Sequence, residues 1–327
     1  MPASDPGLYA YSPIVDRPKL TWPGGARVAF WVAPNIEFYE WAPPPNPTRK
    51  PWARTQPDVL AYSHRDYGNR VGVWRMMDAM DRYGVRGSVS LNVALCEHHP
   101  EIIAACAERG WEFFSHGIYN TRYTYGMDEA QERAMIEDAI ATVQKHAGQR
   151  LTGWLSPALT NTERTQDLLA EYGVTYSCDF FHDDQPFPLR VKSGRLISMP
   201  YSLEMNDILV YTVYLNSPRD YGRMIRAQFD QLYAEGAESG RVMCIPLHPF
   251  LVGQPHRLGP FAEALEYITA HDKVWVTTGA EIAAWYYEHH YDAVAAHLAV
   301  AGGGRWRLSA PETGPPTSAG VRGVPGH

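Results

Sequence analysis

The sequence predicts an α/β fold, a single-domain (β/α) barrel, and three observations carry that prediction. Short apolar runs such as 28–33 have the pattern of strands buried on both faces. These runs alternate with helical patterns through most of the chain, a rhythm that favours a closed or nearly closed parallel barrel over an open sheet. Polar residues able to do chemistry stand just past the ends of the strand-like runs, where a parallel barrel gathers its active site.

Taken in order, residues 1–22 read as an N-terminal extension, 23–300 as the barrel and 301–327 as a flexible tail. The first strand, 28–33, is bounded by Gly24-Gly25 and Pro34. The connection after it, 42–58, carries six prolines from Pro43 to Pro57 and reads as a lid or binding loop. A helix at 70–81, a strand at 88–93, a helix at 100–108 and a strand at 111–115 follow. Asp128 with Gln131 makes a helix-start signal; Met135, Ile136, Ala139, Ile140 and Val143 keep helical spacing, and Gly148 closes the segment. Strands are then expected at 151–155, 174–178, 208–215, 242–247 and 274–277, with helices at 162–172, 221–235 and 261–270. The tail is rich in Gly, Pro, Ser and Thr and cannot bury enough apolar surface to order itself.

Composition narrows the function. The chain has 327 residues, 45% hydrophobic and 20% charged, which describes a folded protein. A net charge of -7 gives no basic field for a nucleic acid. No apolar run is long enough to span a bilayer, and Met1-Pro2-Ala3-Ser4-Asp5-Pro6 lacks a secretion signal, so a cytoplasmic location and no membrane partner are expected. The four cysteines, Cys96, Cys106, Cys178 and Cys244, form no C-x-x-C pair and read as buried thiols, although Cys178 lies near site candidates and could be a nucleophile. The aromatic helix around Trp285-Tyr286-Tyr287 hints at an intersubunit face, hence a homo-oligomer.

Asn35 and Glu37 follow the first strand; His116, Asn120 and Arg122 follow 111–115; Ser156 follows 151–155; Asp179, Asp183 and Asp184 follow 174–178; His248 follows 242–247. Each has a plain reading beside the functional one. A histidine ending a strand is as readily a hydrogen-bonded scaffold residue, and Asp183-Asp184 before Gln185-Pro186 is also a turn cluster. Glu37, flanked by Ile36 and Phe38, stands out because desolvation there is expected to raise its pKa toward that of a working base.

These residues resemble the polysaccharide deacetylase (NodB-homology) superfamily over about 20–290, and especially its allantoinase and cyclic imide hydrolase branch. Asn35-Ile36-Glu37-Phe38, Ser115-His116-Gly117, Gly153-Trp154-Leu155-Ser156-Pro157, Asp179 through Asp183-Asp184-Gln185-Pro186, and Pro246-Leu247-His248-Pro249 are similar to the family motifs, in order. The resemblance implies a distorted (β/α) barrel. It also implies a base at Glu37, but Phe38 stands at the family's second acidic position, Asn120 at that of the second ligand histidine, and Leu155 where an arginine is usual. Two of three metal-ligand positions have changed, which points to catalysis without a cofactor; a divalent metal such as zinc held by Glu37, His116 and another histidine is the alternative.

The expected activity is hydrolysis of a C–N amide bond in a small cyclic amide, imide or ureide. Glu37 would be the base, His248 the proton donor, and His116 would orient substrate or water, with Asp184 and Asp183 holding those partners. Asn35, Asn120, Arg122, Ser156 and Asp179 would bind substrate, Asn120 or Arg122 stabilising the oxyanion. Rival readings are a metal-dependent deacetylase of an N-acetylated sugar or peptidoglycan fragment, and a non-catalytic barrel that binds a carbohydrate or metabolite.

Overall fold

Strand β1 (Val28–Ile36) runs through the middle of the fold and is buried along its whole length. The computed structural model describes residues 7–43 and 57–302. The remaining strands are β2 (Ser88–Leu91), β3 (Glu112–Ser115), β4 (Gly153–Trp154), β5 (Tyr176–Ser177), β6 (Phe187–Leu189), β7 (Leu196–Ser198), β8 (Arg241–Leu247) and β9 (Val274–Val276). Their order is β6-β7-β5-β4-β3-β2-β1-β8, with β9 pairing the start of β1, and every pair is parallel except β6 with β7. The sheet curls into a distorted (β/α) barrel with an open seam between β8 and the β7 side. One backbone bond, Val242 N–H to the Asp184 carbonyl at 2.9 Å, crosses that seam.

Pleating divides the core in two. Side chains alternate between the faces of a strand, so β1 sends Ala29, Trp31 and Ala33 inward and Val28, Phe30 and Val32 outward. The inward set meets Phe114, Leu155, Tyr176, Cys178, Ile197, Met199, Val242 and Cys244 in the barrel interior. The outward set packs beneath the helices with Met76, Ile136, Phe229 and Leu265. Each large apolar side chain fully buried this way contributes about 1.5–3 kcal/mol.

Most expected elements are present. The helix Glu129–Ala147 begins with the Asp128–Gln131 capping box and ends on Gly148 at φ 66°. The expected helix at 100–108 is Pro100–Glu108. Strand β1 continues past Pro34 to Ile36, because that proline falls between the pairing of β1 with β9 and its pairing with β2, where a missing N–H is tolerated.

One expected element is corrected, and two features stand beside it. The apolar run 208–215 is no strand: Asp207–Thr212 is a helix capped by Asn206, whose Oδ1 accepts the Ile208 N–H at 3.2 Å. The short antiparallel pair β6 and β7 was not foreseen, since Pro188 and the brevity of both strands hide them. The end of the segment expected as an N-terminal extension packs on the barrel: Leu20 and Trp22 are buried in the inner core, and Trp22 Nε1–H donates to the Arg241 carbonyl at 2.9 Å. The proline-rich connection from 44 to 56 and the tail from 303 lie outside the described residues. No helix among the described residues is long and apolar enough to cross a membrane.

Candidate active site

The inward register of three strands delivers three side chains to one mouth. After Trp31, Ala33 and Asn35 the next inward residue of the β1 line is Glu37; after Phe114 comes His116; after Val242, Cys244 and Pro246 comes His248. All three are buried, at 6%, 5% and 4% exposure. The Nε2 atoms of His248 and His116 lie 3.4 and 3.7 Å from the same oxygen, Glu37 Oε1. Glu37 Oε2 is buried and makes no hydrogen bond among the described residues.

The second nitrogen of each imidazole is committed elsewhere. His116 Nδ1–H donates to the Leu155 carbonyl at 3.0 Å, because a carbonyl can only accept. His248 Nδ1 is 2.7 Å from Asp207 Oδ1, while Asp207 Oδ2 accepts the His248 backbone N–H at 2.9 Å. Asp207 is wholly buried, and sequence reasoning missed it. The signal was the Asn206-Asp207 pair, a helix-start pattern masked by the strand-like residues after it.

Backbone clamps hold the carboxylate in place. A turn of π-helix at Gly68–Gly72 interrupts the helix after the proline-rich loop, and within it Asn69 Nδ2–H donates to the Glu37 carbonyl at 3.0 Å. Asn92, fully buried, donates through Nδ2 to the His116 carbonyl at 2.5 Å and accepts the Phe38 N–H at 3.0 Å. Neither asparagine was singled out from sequence. Gly72 lies so close to the His248 loop that a Cβ would meet the Pro249 carbonyl oxygen at 2.0 Å.

The charges favour a protonated acid beside an ionised base. For His248, burial alone pushes the pKa down, but Glu37 and Asp207 outweigh it and raise it to about 9. For Glu37, burial works upward, yet His248 and His116 hold the carboxyl well below the usual carboxylate range. The expectation that desolvation raises Glu37 is thereby corrected: two facing imidazoles overcome it. Burial pushes Asp207 up, against the pull of His248.

A cavity of about 250 Å³ opens over this cluster, lined in part by Asn35, Tyr39, Asn120, Tyr123, Phe181 and Leu209. Ala158 and Leu159 also line it with left-handed backbones, φ 50° and 57°, strain of the kind found at working sites.

The other expected site residues divide. Asn35 reaches the cavity, with its amide bonded to Tyr201 Oη and the Leu247 carbonyl at 2.7 and 3.2 Å. Ser156 and Asp179 do not line it: they bond each other at 2.6 and 2.9 Å in a buried knot with Gln166 and Asn161. Arg122 pairs with Glu40 at 2.7 Å and is outside the lining. Asp183 is tied to Arg17 at 2.7 Å, and with Asp184 it lines a neighbouring cavity beyond Phe181, Tyr201 and Leu203. Asp207, and not Asp183 or Asp184, is the aspartate in direct contact with His248. Cys178 is buried and its thiol is pushed far up by burial, which removes the nucleophile reading.

The residues at the family's ligand positions fit a divalent cation poorly. Phe38 stacks on His98 with ring centroids 4.1 Å apart, and the Asn120 amide N–H donates to Tyr39 Oη at 2.6 Å. Among the described residues no group of three His, Cys, Asp or Glu is arranged to hold a metal ion.

Comparison with known proteins agrees with the motifs. The polysaccharide deacetylase family model matches residues 53–177. A Schizosaccharomyces pombe protein described as a polysaccharide deacetylase is 30% identical over 248 residues, 70% of this chain and 77% of that one. A Helicobacter pylori peptidoglycan deacetylase is 23% identical over 245 residues, 64% of this chain and 82% of the relative. The crystal structure of the allantoinase Puue is similar with a TM-score of 0.74 at 29% identity, covering 84% of this chain and 95% of that chain. Shared sequence across most of both chains, on the same curled barrel, makes this chain a member of the polysaccharide deacetylase family, hydrolases that act on C–N amide bonds.

Proposed function

We propose that the chain hydrolyses the C–N bond of a small cyclic amide, imide or ureide, with Glu37 as general base and His248 as general acid. One observation carries the reading: Glu37, in the cavity lining, turns Oε1 to the two imidazoles and leaves Oε2 without a hydrogen-bond partner among the described residues. Oε2 takes a proton from water as the water oxygen bonds to the substrate carbonyl carbon. The tetrahedral intermediate then expels nitrogen, which takes the Nε2 proton of His248. Transfer of a proton from Glu37 back to His248 restores the resting pair. His116 fixes the carboxylate from the other side, and Asp207 holds the His248 ring.

The size of the cavity supports a single ring over a polymer, being smaller than the ~300–1,000 Å³ usual for ligand sites. The likeness to an allantoinase supports the same class. Phe38 and Asn120 at the family's ligand positions also suit an imide or ureide, whose leaving nitrogen is conjugated to a second carbonyl and asks less activation of the carbonyl.

A second reading, a metal-dependent deacetylase of N-acetylated sugars, is favoured by the names of the curated relatives. The deciding experiment offers purified protein hydantoins, imides, ureides and N-acetyl sugars, each with and without a chelator. Chelator-resistant opening of a ring is expected; chelator-sensitive release of acetate from a sugar would overturn the proposal.

A further inference from the structure

Asn120 holds an acceptor that nothing among the described residues satisfies. Its side chain is 7% exposed and lines the cavity over Glu37. Its Nδ2–H donates to Tyr39 Oη at 2.6 Å, and its backbone N–H donates to the Phe38 carbonyl at 3.2 Å. Tyr39 Oη also accepts from Arg65 Nη2 at 3.4 Å, and the Arg65 guanidinium lies 4.2 Å over the Tyr39 ring. A phenol oxygen receiving from the arginine and from Nδ2 sets which way the carboxamide points. Oδ1 is left buried with no partner. The carboxamide Nδ2 carries a second N–H, whereas Oδ1 can only accept and needs a donor.

From this pairing of a pinned carboxamide and a bare buried acceptor, we propose that Asn120 Oδ1 selects substrates with a ring N–H beside the scissile carbonyl. The site then takes N-unsubstituted imides and cyclic ureides and rejects their N-alkylated forms. The inference rests on the small-ring reading above and narrows it. Two physical terms act together: the N–H satisfies Oδ1, and an N-methyl group both leaves Oδ1 unpaired and crowds it. Asn206, also in the lining, has its own Oδ1 taken by the Ile208 N–H and so offers an amide N–H to a ring carbonyl. With both residues in the lining, an Asn206 donor and the Asn120 acceptor match the alternating C=O and N–H edge of such a ring.

The test compares hydantoin with 3-methylhydantoin and succinimide with N-methylsuccinimide, on the wild type, Asn120→Ala and Asn120→Asp. Wild type should prefer the N–H ring by about tenfold or more in kcat/KM. Asn120→Ala should lose most of that preference, mainly through a higher KM for the N–H ring, and Asn120→Asp, which keeps an acceptor, should retain it. An undiminished preference in Asn120→Ala overturns the inference. Should Asn120→Ala fail to fold, Tyr39→Phe unpins the carboxamide and should narrow the preference instead; no narrowing counts against it. If wild type opens none of these rings, the functional reading fails separately. Calorimetric binding of the same four compounds then decides the acceptor role, equal affinity for methylated and unmethylated rings ruling it out.

Discussion

Asp207 Oδ1 sits 2.7 Å from Nδ1 of His248, and the other oxygen of the same carboxylate takes the His248 backbone N–H at 2.9 Å. One side chain thus fixes both the ring and the main chain of the histidine. It also sustains the imidazolium, since Glu37 and Asp207 together raise His248 to about 9. Asp207→Asn keeps the size but removes the charge. It should lower kcat by about tenfold or more and move the alkaline limb of the pH profile below 9. A pH–rate profile with that limb unmoved would show that Asp207 has no hold on the proton of His248.

Glu37→Gln should reduce kcat by about 100-fold or more with little change in melting temperature. Near wild-type turnover would remove Glu37 from the base role.

The pH dependence follows from two opposite shifts. His248 has a folded pKa near 9 against an ordinary value of 6.5, so its contribution to stability is complete below 6.5 and is lost as pH rises through 9. Glu37 is depressed, so its contribution is present above 4.5 and is lost as pH falls through its lower folded value. Activity requires the same protonation states. Measured as kcat/KM, it should fall on the alkaline side near 9 and show no acid limb at 4.5 or above. An alkaline limb near 6.5 would contradict the pairing of His248 with Glu37 and Asp207.

Gly117 follows His116 directly, at φ 70°, and a Cβ there would lie 2.4 Å from Pro157 Cγ. Gly117→Ala should therefore cost about 1–3 kcal/mol in urea unfolding and displace His116, lowering kcat as well. Wild-type stability would mean that the Pro157 turn yields freely.

How much of this was legible in the sequence depends on which force dominated each segment. Glu37, His116 and His248 could be read because each extends an apolar strand by a single inward step, and pleating leaves little choice of direction. Asp207 could not, because Ile208, Val210 and Val213 favour strand by propensity, whereas the Asn206 cap and packing against the His248 loop impose a helix. Asp183 and Asp184 drew attention by their place in the chain, but a salt bridge to Arg17 from a distant segment claims one of them. Asn69 and Asn92 act through main-chain atoms of other segments, contacts that leave no periodic trace.

Glu37 and His248 extend two strands that are hydrogen-bonded neighbours, with Pro34 of β1 in register with Leu247 of β8. That register sets His248 opposite Asn35, two residues before Glu37 and on the same inward face, so the parallel ladder brings the two side chains to one place and the clamps from Asn69 and Asp207 hold them there. Mutational drift in the rim residues Tyr123, Leu159 and Phe181 can reshape what enters without detuning the proton-transfer pair. For this chain, new substrate preferences are therefore best sought at the rim, with the ladder left untouched.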